Sequence, residues 1–137
     1  MNYLIDTNIC IYVMNKKPFE VIDKFKNTEI GQIGISSITV SELNYGVAKS
    51  KLQKQNAQRL EEFLTPFEIL PYDETASKYY GIIRYQLESE GKVIGPLDML
   101  IAAHALSKDL ILVTNNEKEF QPLMGNDQRA CCLQVLE

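Results

Sequence analysis

Three carboxylates in distant segments, Asp6, Glu42 and Asp98, each stand where a short apolar stretch or a Gly-Pro break gives way to a helical pattern. Asp6 closes the run Tyr3-Leu4-Ile5 and precedes Thr7-Asn8. Glu42 falls in what reads as a first helical turn opened by Thr39-Val40-Ser41. Asp98 follows Gly95-Pro96-Leu97, with Pro96 suited to a first helical position. Each acid also has a purely structural reading. Asp6 can cap a helix, Thr39-Val40-Ser41-Glu42 matches a capping box, and Asp98 complements the positive end of a helix dipole. Acids at all three openings favour one shared site. Carboxylates without histidine or thiolate partners suit a hard cation, magnesium or alternatively manganese, which takes oxygen ligands alongside substrate phosphates. Like charges brought together repel and raise one another's pKa, so such a cluster implies a metal. Zinc fits poorly: His104 is the chain's one histidine, and Cys10, Cys131 and Cys132 lack paired spacing.

Alternating apolar runs and amphipathic stretches predict the elements that position these groups. Strands are expected at Tyr3 to Ile5, Gln32 to Ile35, Phe67 to Leu70, Leu110 to Thr114 and Cys132 to Leu136. Helices are expected from about Asn8 to Met14, around Phe19 to Phe25, through Glu42 towards Ala48, and from Lys54 to Leu64. Two more run from an Asp73 cap to about Glu90 and from Pro96 to near Lys108. The alternation implies an α/β fold, a three-layer α/β/α sandwich around a central, mainly parallel sheet, in a single domain over 1–137. Ligands of such sheets bind beyond the carboxyl ends of the strands, where acids from several strand ends can meet. The stretch after Thr114 leaves the sheet at the same edge as Asp6. Asn116 and Glu119, three apart, are candidates there for a fourth group, against a reading in which Asn115 or Asn116 only caps a helix.

The composition, 45% hydrophobic and 23% charged over 137 residues, is that of an ordinary globule. No stretch approaches the roughly 20 apolar residues of a membrane span, and the start of the chain lacks the order of a signal peptide, so a cytoplasmic location is expected. The odd cysteine count argues against a disulfide framework and for small packing residues. A net charge of −4 excludes broad attraction to nucleic acid. The basic residues are nevertheless grouped. Lys49, Lys51, Lys54 and Arg59 follow Glu42, and Lys16, Lys17, Lys24 and Lys26 lie near the first helix. His104 is six residues after Asp98, on a different helical face, and reads as a packing or surface residue. Tyr12 and Tyr45 could stack bases, but they read first as core or surface packing residues.

Four ordered blocks carry a resemblance: Leu4-Ile5-Asp6-Thr7-Asn8, Ile35 to Leu43 with Tyr45-Gly46, Gly95 to Ala105, and Val113-Thr114-Asn115-Asn116 with Glu119-Phe120. In that order they resemble the PIN-domain ribonucleases, and more narrowly the VapC-type toxins of bacterial toxin-antitoxin pairs, over nearly the whole chain. The resemblance implies a magnesium- or manganese-dependent endoribonuclease whose acidic core matches Asp6, Glu42 and Asp98. Relatives often carry a further acid in the last block. Asn116 stands where some have Asp, and Glu119 is the substitute expected here. Thr7 and Asn8 match polar residues that orient the first acid or contact phosphate; independently of the resemblance, the grouping of Lys49 and Lys51 suits a grip on an RNA backbone or a solvated helix face. A VapB-type antitoxin, a homodimer and a structured RNA substrate are implied, with transfer RNA, and within it the initiator anticodon region, as the target class.

Two other functions fit parts of the pattern. A haloacid dehalogenase-type phosphohydrolase also begins with Asp at a strand end but wants a second Asp where Asn8 stands. A catalytically silent PIN-like interaction module is compatible with Asn116.

Overall fold

The computed structural model describes residues 1–16, 26–114 and 133–135. The helix expected around Phe19 to Phe25 and the candidates Asn116 and Glu119 lie outside these residues. Among the described residues five strands, β1 (Tyr3–Ile5), β2 (Ile33–Ser36), β3 (Glu68–Leu70), β4 (Ile111–Thr114) and β5 (Leu133–Val135), form one sheet in the order β3-β2-β1-β4-β5. Every pairing is parallel, with Leu4 opposite both Gly34 and Leu112. Among the described residues five α-helices accompany the sheet: α1 (Thr7–Asn15), α2 (Ser37–Ala48), α3 (Gln53–Leu64), α4 (Glu74–Ser89) and α5 (Pro96–Ser107).

Strand side chains alternate between faces, and the alternation sorts the core into two layers. Ile5, Ile33, Ile35 and Val113 pack with Ile9 and Cys10 of α1, Leu43 of α2 and Leu60 of α3. Leu4 and Leu112 pack on the other side with Ile83 and Leu87 of α4 and Met99, Ile101 and Ala102 of α5. The result is the expected three-layer α/β/α sandwich. Cys10 is buried and free, the packing role its sequence context suggested, and burial pushes its thiol pKa well above the ordinary range. Gly34 is required where it stands: a Cβ there would lie 2.7 Å from Met1 Sδ and 3.0 Å from Leu70 Cδ1, so its absence lets β3 and the chain's first residue close over β2.

One expected boundary moves in a way that matters. Glu42 sits in the second turn of α2, since the helix begins at Ser37 directly from β2. Ser36 is the cap, its Oγ accepting the Ile38 N–H at 3.1 Å, so the capping-box reading of Thr39 and Glu42 does not hold. Thr39 lies fully buried inside the helix instead.

Candidate active site

Chain order runs outward from β1 to β2 and β3, then returns to the other side of β1 for β4 and β5. The carboxyl ends of β1 and β4 therefore flank a topological switch point, where open parallel sheets leave a crevice. Asp6, immediately after β1, stands in it. Its backbone N–H donates to the Val113 carbonyl at 3.2 Å, continuing the ladder for one step before α1 begins.

Asp6 caps α1, with Oδ1 accepting the Ile9 N–H at 2.9 Å, while Oδ2 accepts the Thr114 hydroxyl at 2.5 Å from the end of β4. Asp6 is only 3% exposed. Burial, the dominant influence, raises its pKa; the bonds from Thr114 and Ile9 pull it back down, and the negative charge of Glu42 pushes it up again. Glu42 reaches towards the same place from α2: its Oε1 accepts the Thr7 hydroxyl at 2.8 Å. Among the described residues no ion pair involves Asp6 or Glu42; the three formed are Arg84–Glu88, Lys92–Glu90 and Lys108–Asp73.

Asp98 occupies the first turn of α5, half-buried beside the buried Met99. Because α5 ends three residues before β4 begins, it runs antiparallel to the sheet and its first turn lies at the strands' carboxyl edge. The three acids thus share one edge, but they do not close into the tight cluster expected. Among the described residues, no three of His, Cys, Asp or Glu form a metal-holding group. His104 is the α5 residue bonded to Ser36 at the end of β2, and Asp98 precedes it by six residues. The acid thus stands about 9 Å further along α5 than the ring that meets Ser36, and it is half-buried there.

The remaining candidates divide. Asn8 and Lys49 and Lys51 are exposed. Tyr45 is 66% exposed on the same helix as Glu42, with Lys49 Nζ 5.0 Å from its ring centroid, a surface position, whereas Tyr12 packs against the core. Arg59 ties α3 to the end of α1 through the Met14 carbonyl at 2.6 Å and Asn15 Oδ1 at 3.1 Å, a structural use of one member of the basic group. Thr114 escaped sequence reasoning as a site residue. The signal available was a hydroxyl ending an otherwise apolar parallel strand, where an apolar residue would continue the run.

The PIN domain family model matches residues 3–122. The chain is 45% identical over 125 residues to "Ribonuclease VapC2" of Rickettsia felis, covering 88% of this chain and 91% of that protein. It is 41% identical to "tRNA(fMet)-specific endonuclease VapC" of Shigella flexneri, covering 91% and 94% respectively. Among solved structures, VapBC-1 of nontypeable Haemophilus influenzae superposes with a TM-score of 0.83 at 30% identity, covering 99% of this chain and 98% of that one. DNA-bound VapBC of Salmonella typhimurium superposes at 0.82 with 40% identity, covering 88% and 91%. By this extent and identity, the chain belongs to the VapC ribonucleases of the PIN-domain family.

Proposed function

We propose that the chain, acting as one domain over 1–137, is the metal-dependent endoribonuclease toxin of a toxin-antitoxin pair. The observation that carries the reading is Asp6: a carboxylate buried at the switch point, beside the like charge of Glu42, in an ion pair with no cationic side chain among the described residues. Such a charge calls for a cation from outside.

The donor set fits that cation. Asp6, Glu42 and Asp98 offer oxygen alone, and the open arrangement suits magnesium, or manganese, which keeps waters and shares its shell with substrate phosphates. When bound, the cation supplies Lewis-acid activation of water for in-line attack on a phosphodiester and neutralises charge at the departing oxygen. The chain's own residues do the rest. Thr114 and the first turn of α1 orient Asp6, Thr7 fixes the Glu42 carboxylate, and Asn8, at the exposed mouth, reaches phosphate. Glu119, or in its stead Asn116, is the group we expect to complete the set, and Lys49 and Lys51 hold the RNA backbone.

The substrate class we infer is structured RNA, specifically transfer RNA and the initiator anticodon region, in keeping with the name of the Shigella relative. A VapB-type antitoxin is inferred as the partner from the VapBC complexes whose structures match, and the toxin is expected to pair as a homodimer. No described helix is long and apolar enough to cross a membrane.

The test is incubation of total transfer RNA with the purified, antitoxin-free chain, with magnesium or manganese against EDTA and with Asp6→Ala as control. Discrete metal-dependent products, missing from the variant, are expected. Manganese binding without cleavage would instead make the chain a silent binding module, and phosphate captured covalently on Asp6 would make it a phosphohydrolase.

A further inference from the structure

We propose that His104 is a positioning residue whose hydrogen bond to Ser36 fixes the helix carrying Asp98 against the helix carrying Glu42, and thereby sets the spacing of the acids. The inference rests on the metal-site reading above. His104 is 0% exposed, and its Nδ1 lies 2.7 Å from Ser36 Oγ across 68 residues of sequence. Ser36 is itself fully buried and caps α2. The next residue works in the same direction: Ser37 Oγ accepts the Tyr72 N–H at 3.0 Å, and the Tyr72 ring meets the His104 ring edge-on at 5.6 Å and 82°. Two adjacent serines at the β2–α2 junction thus hold both α5 and the segment entering α4.

Packing alone does not account for a histidine here. The other buried residues of α5 are Met99, Ile101, Ala102, Ala103 and Ala105. An apolar side chain would fill the position without a desolvation cost, whereas this ring leaves Nε2 without an aligned hydrogen bond, although the Pro71 carbonyl interacts with the ring. What a polar bond adds is register. A helix face built largely from alanine is smooth and specifies its axial position weakly, and a single buried polar contact is the attested device for choosing one setting. Because the helix is stiff, a slide or rotation at His104 reaches Asp98, about 9 Å away along the axis. Burial holds the imidazole below its ordinary pKa, so the ring is neutral at pH 7. The contact of the ring with the Pro71 carbonyl favours the ring proton on Nε2, an assignment in which Nδ1 accepts the Ser36 hydroxyl proton while Ser36 Oγ accepts from Ile38.

The test uses His104→Leu, His104→Asn and Ser36→Ala, read by calorimetric titration with manganese, by hydrogen exchange across the first turns of α5, and by kcat and KM on RNA. Folded His104→Leu is expected to bind manganese roughly 10- to 100-fold more weakly, as when partners that orient metal ligands are lost. It should exchange faster around Asp98 and lose kcat with little change in KM. His104→Asn, whose amide can meet Ser36, should recover most of the affinity. Ser36→Ala should repeat the loss, and it carries the test if His104→Leu does not fold. Wild-type manganese affinity and exchange in the folded variants, or equal loss in both His104 variants, would overturn the proposal and leave His104 a core filler. A wild-type chain that cleaves no RNA would instead count against the nuclease reading, and the manganese and exchange comparisons would still report on His104.

Discussion

Asp6 and Asp73 perform the same local task in opposite surroundings. Each caps a helix by accepting the N–H three residues on, at 2.9 Å from Ile9 and 3.0 Å from Ala76. Asp73 is partly exposed and paired with Lys108 at 2.6 Å, and the hydrogen bond from that ammonium group, with the cap bond behind it, lowers its pKa. Asp6 is buried, faces Glu42, and has its pKa raised. Capping is therefore not an alternative to function. The helix start fixes where a carboxylate points, and the presence or absence of a cation decides whether it is at rest.

The comparison can be broken most forcefully at Asp6. Asp6→Asn keeps a cap, since Asn is as good a capping residue. Cleavage should nevertheless fall by about 1000-fold or more, equivalent to roughly 4 kcal/mol of transition-state stabilisation. The metal-free variant should at the same time be more stable than wild type at neutral pH. A raised folded pKa gives stability that is present in acid and lost as pH rises through the folded value, so the gap between the two melting temperatures should widen with pH. Manganese should raise the wild-type melting temperature and leave that of the variant unmoved. Asp98→Asn, at the more solvated position, should lose about 100-fold in kcat with no change in circular dichroism, because amide and carboxylate are nearly isosteric. Wild-type kcat there would remove Asp98 from the site.

Thr114→Val deletes the hydroxyl that favours ionised Asp6. Its pKa should climb further, so the acid limb of the kcat/KM profile should shift to higher pH and activity at pH 7 should drop about tenfold, the worth of one hydrogen bond to a charged group. An unshifted limb would separate Thr114 from Asp6. Changing Lys49 and Lys51 together to Glu should weaken cleavage several-fold and flatten its dependence on salt, since each phosphate contact contributes to that slope. Identical salt slopes would reject the patch. The smallest effect belongs to Asp73→Asn. The lowered pKa of Asp73 gives stability that is present above the unfolded value, about 3.9, and lost as pH falls through the lower folded one. The variant should be slightly less stable than wild type at neutral pH, indistinguishable from it in strong acid, and unaltered in cleavage.

Much of this was legible in the sequence because it is local. Continuous apolar runs such as Leu110 to Val113 mark buried parallel strands, Pro96 marks a helix start, and Asp73 announces a cap. The start of α2 was missed because strand passes directly into helix, leaving no polar punctuation beyond serines that also occur in turns. For His104, helical periodicity gives the face, a packing or surface position, but not the partner. The bond to Ser36 joins segments 68 residues apart, and no spacing rule encodes such a pair. The role of Thr114 was hidden for the same reason.

The partnership of Thr114 with Asp6 spans 108 residues, the widest reach among the side-chain hydrogen bonds described, and it has a consequence in time. During synthesis at about 5 to 20 residues per second, the first acid emerges roughly 5 to 20 s before the hydroxyl that orients it. Through that interval β1 has no β4 to pair with, and the switch-point crevice has only one wall. A nascent chain on the ribosome, surrounded by transfer RNA, would therefore remain unarmed until most of its length had been made.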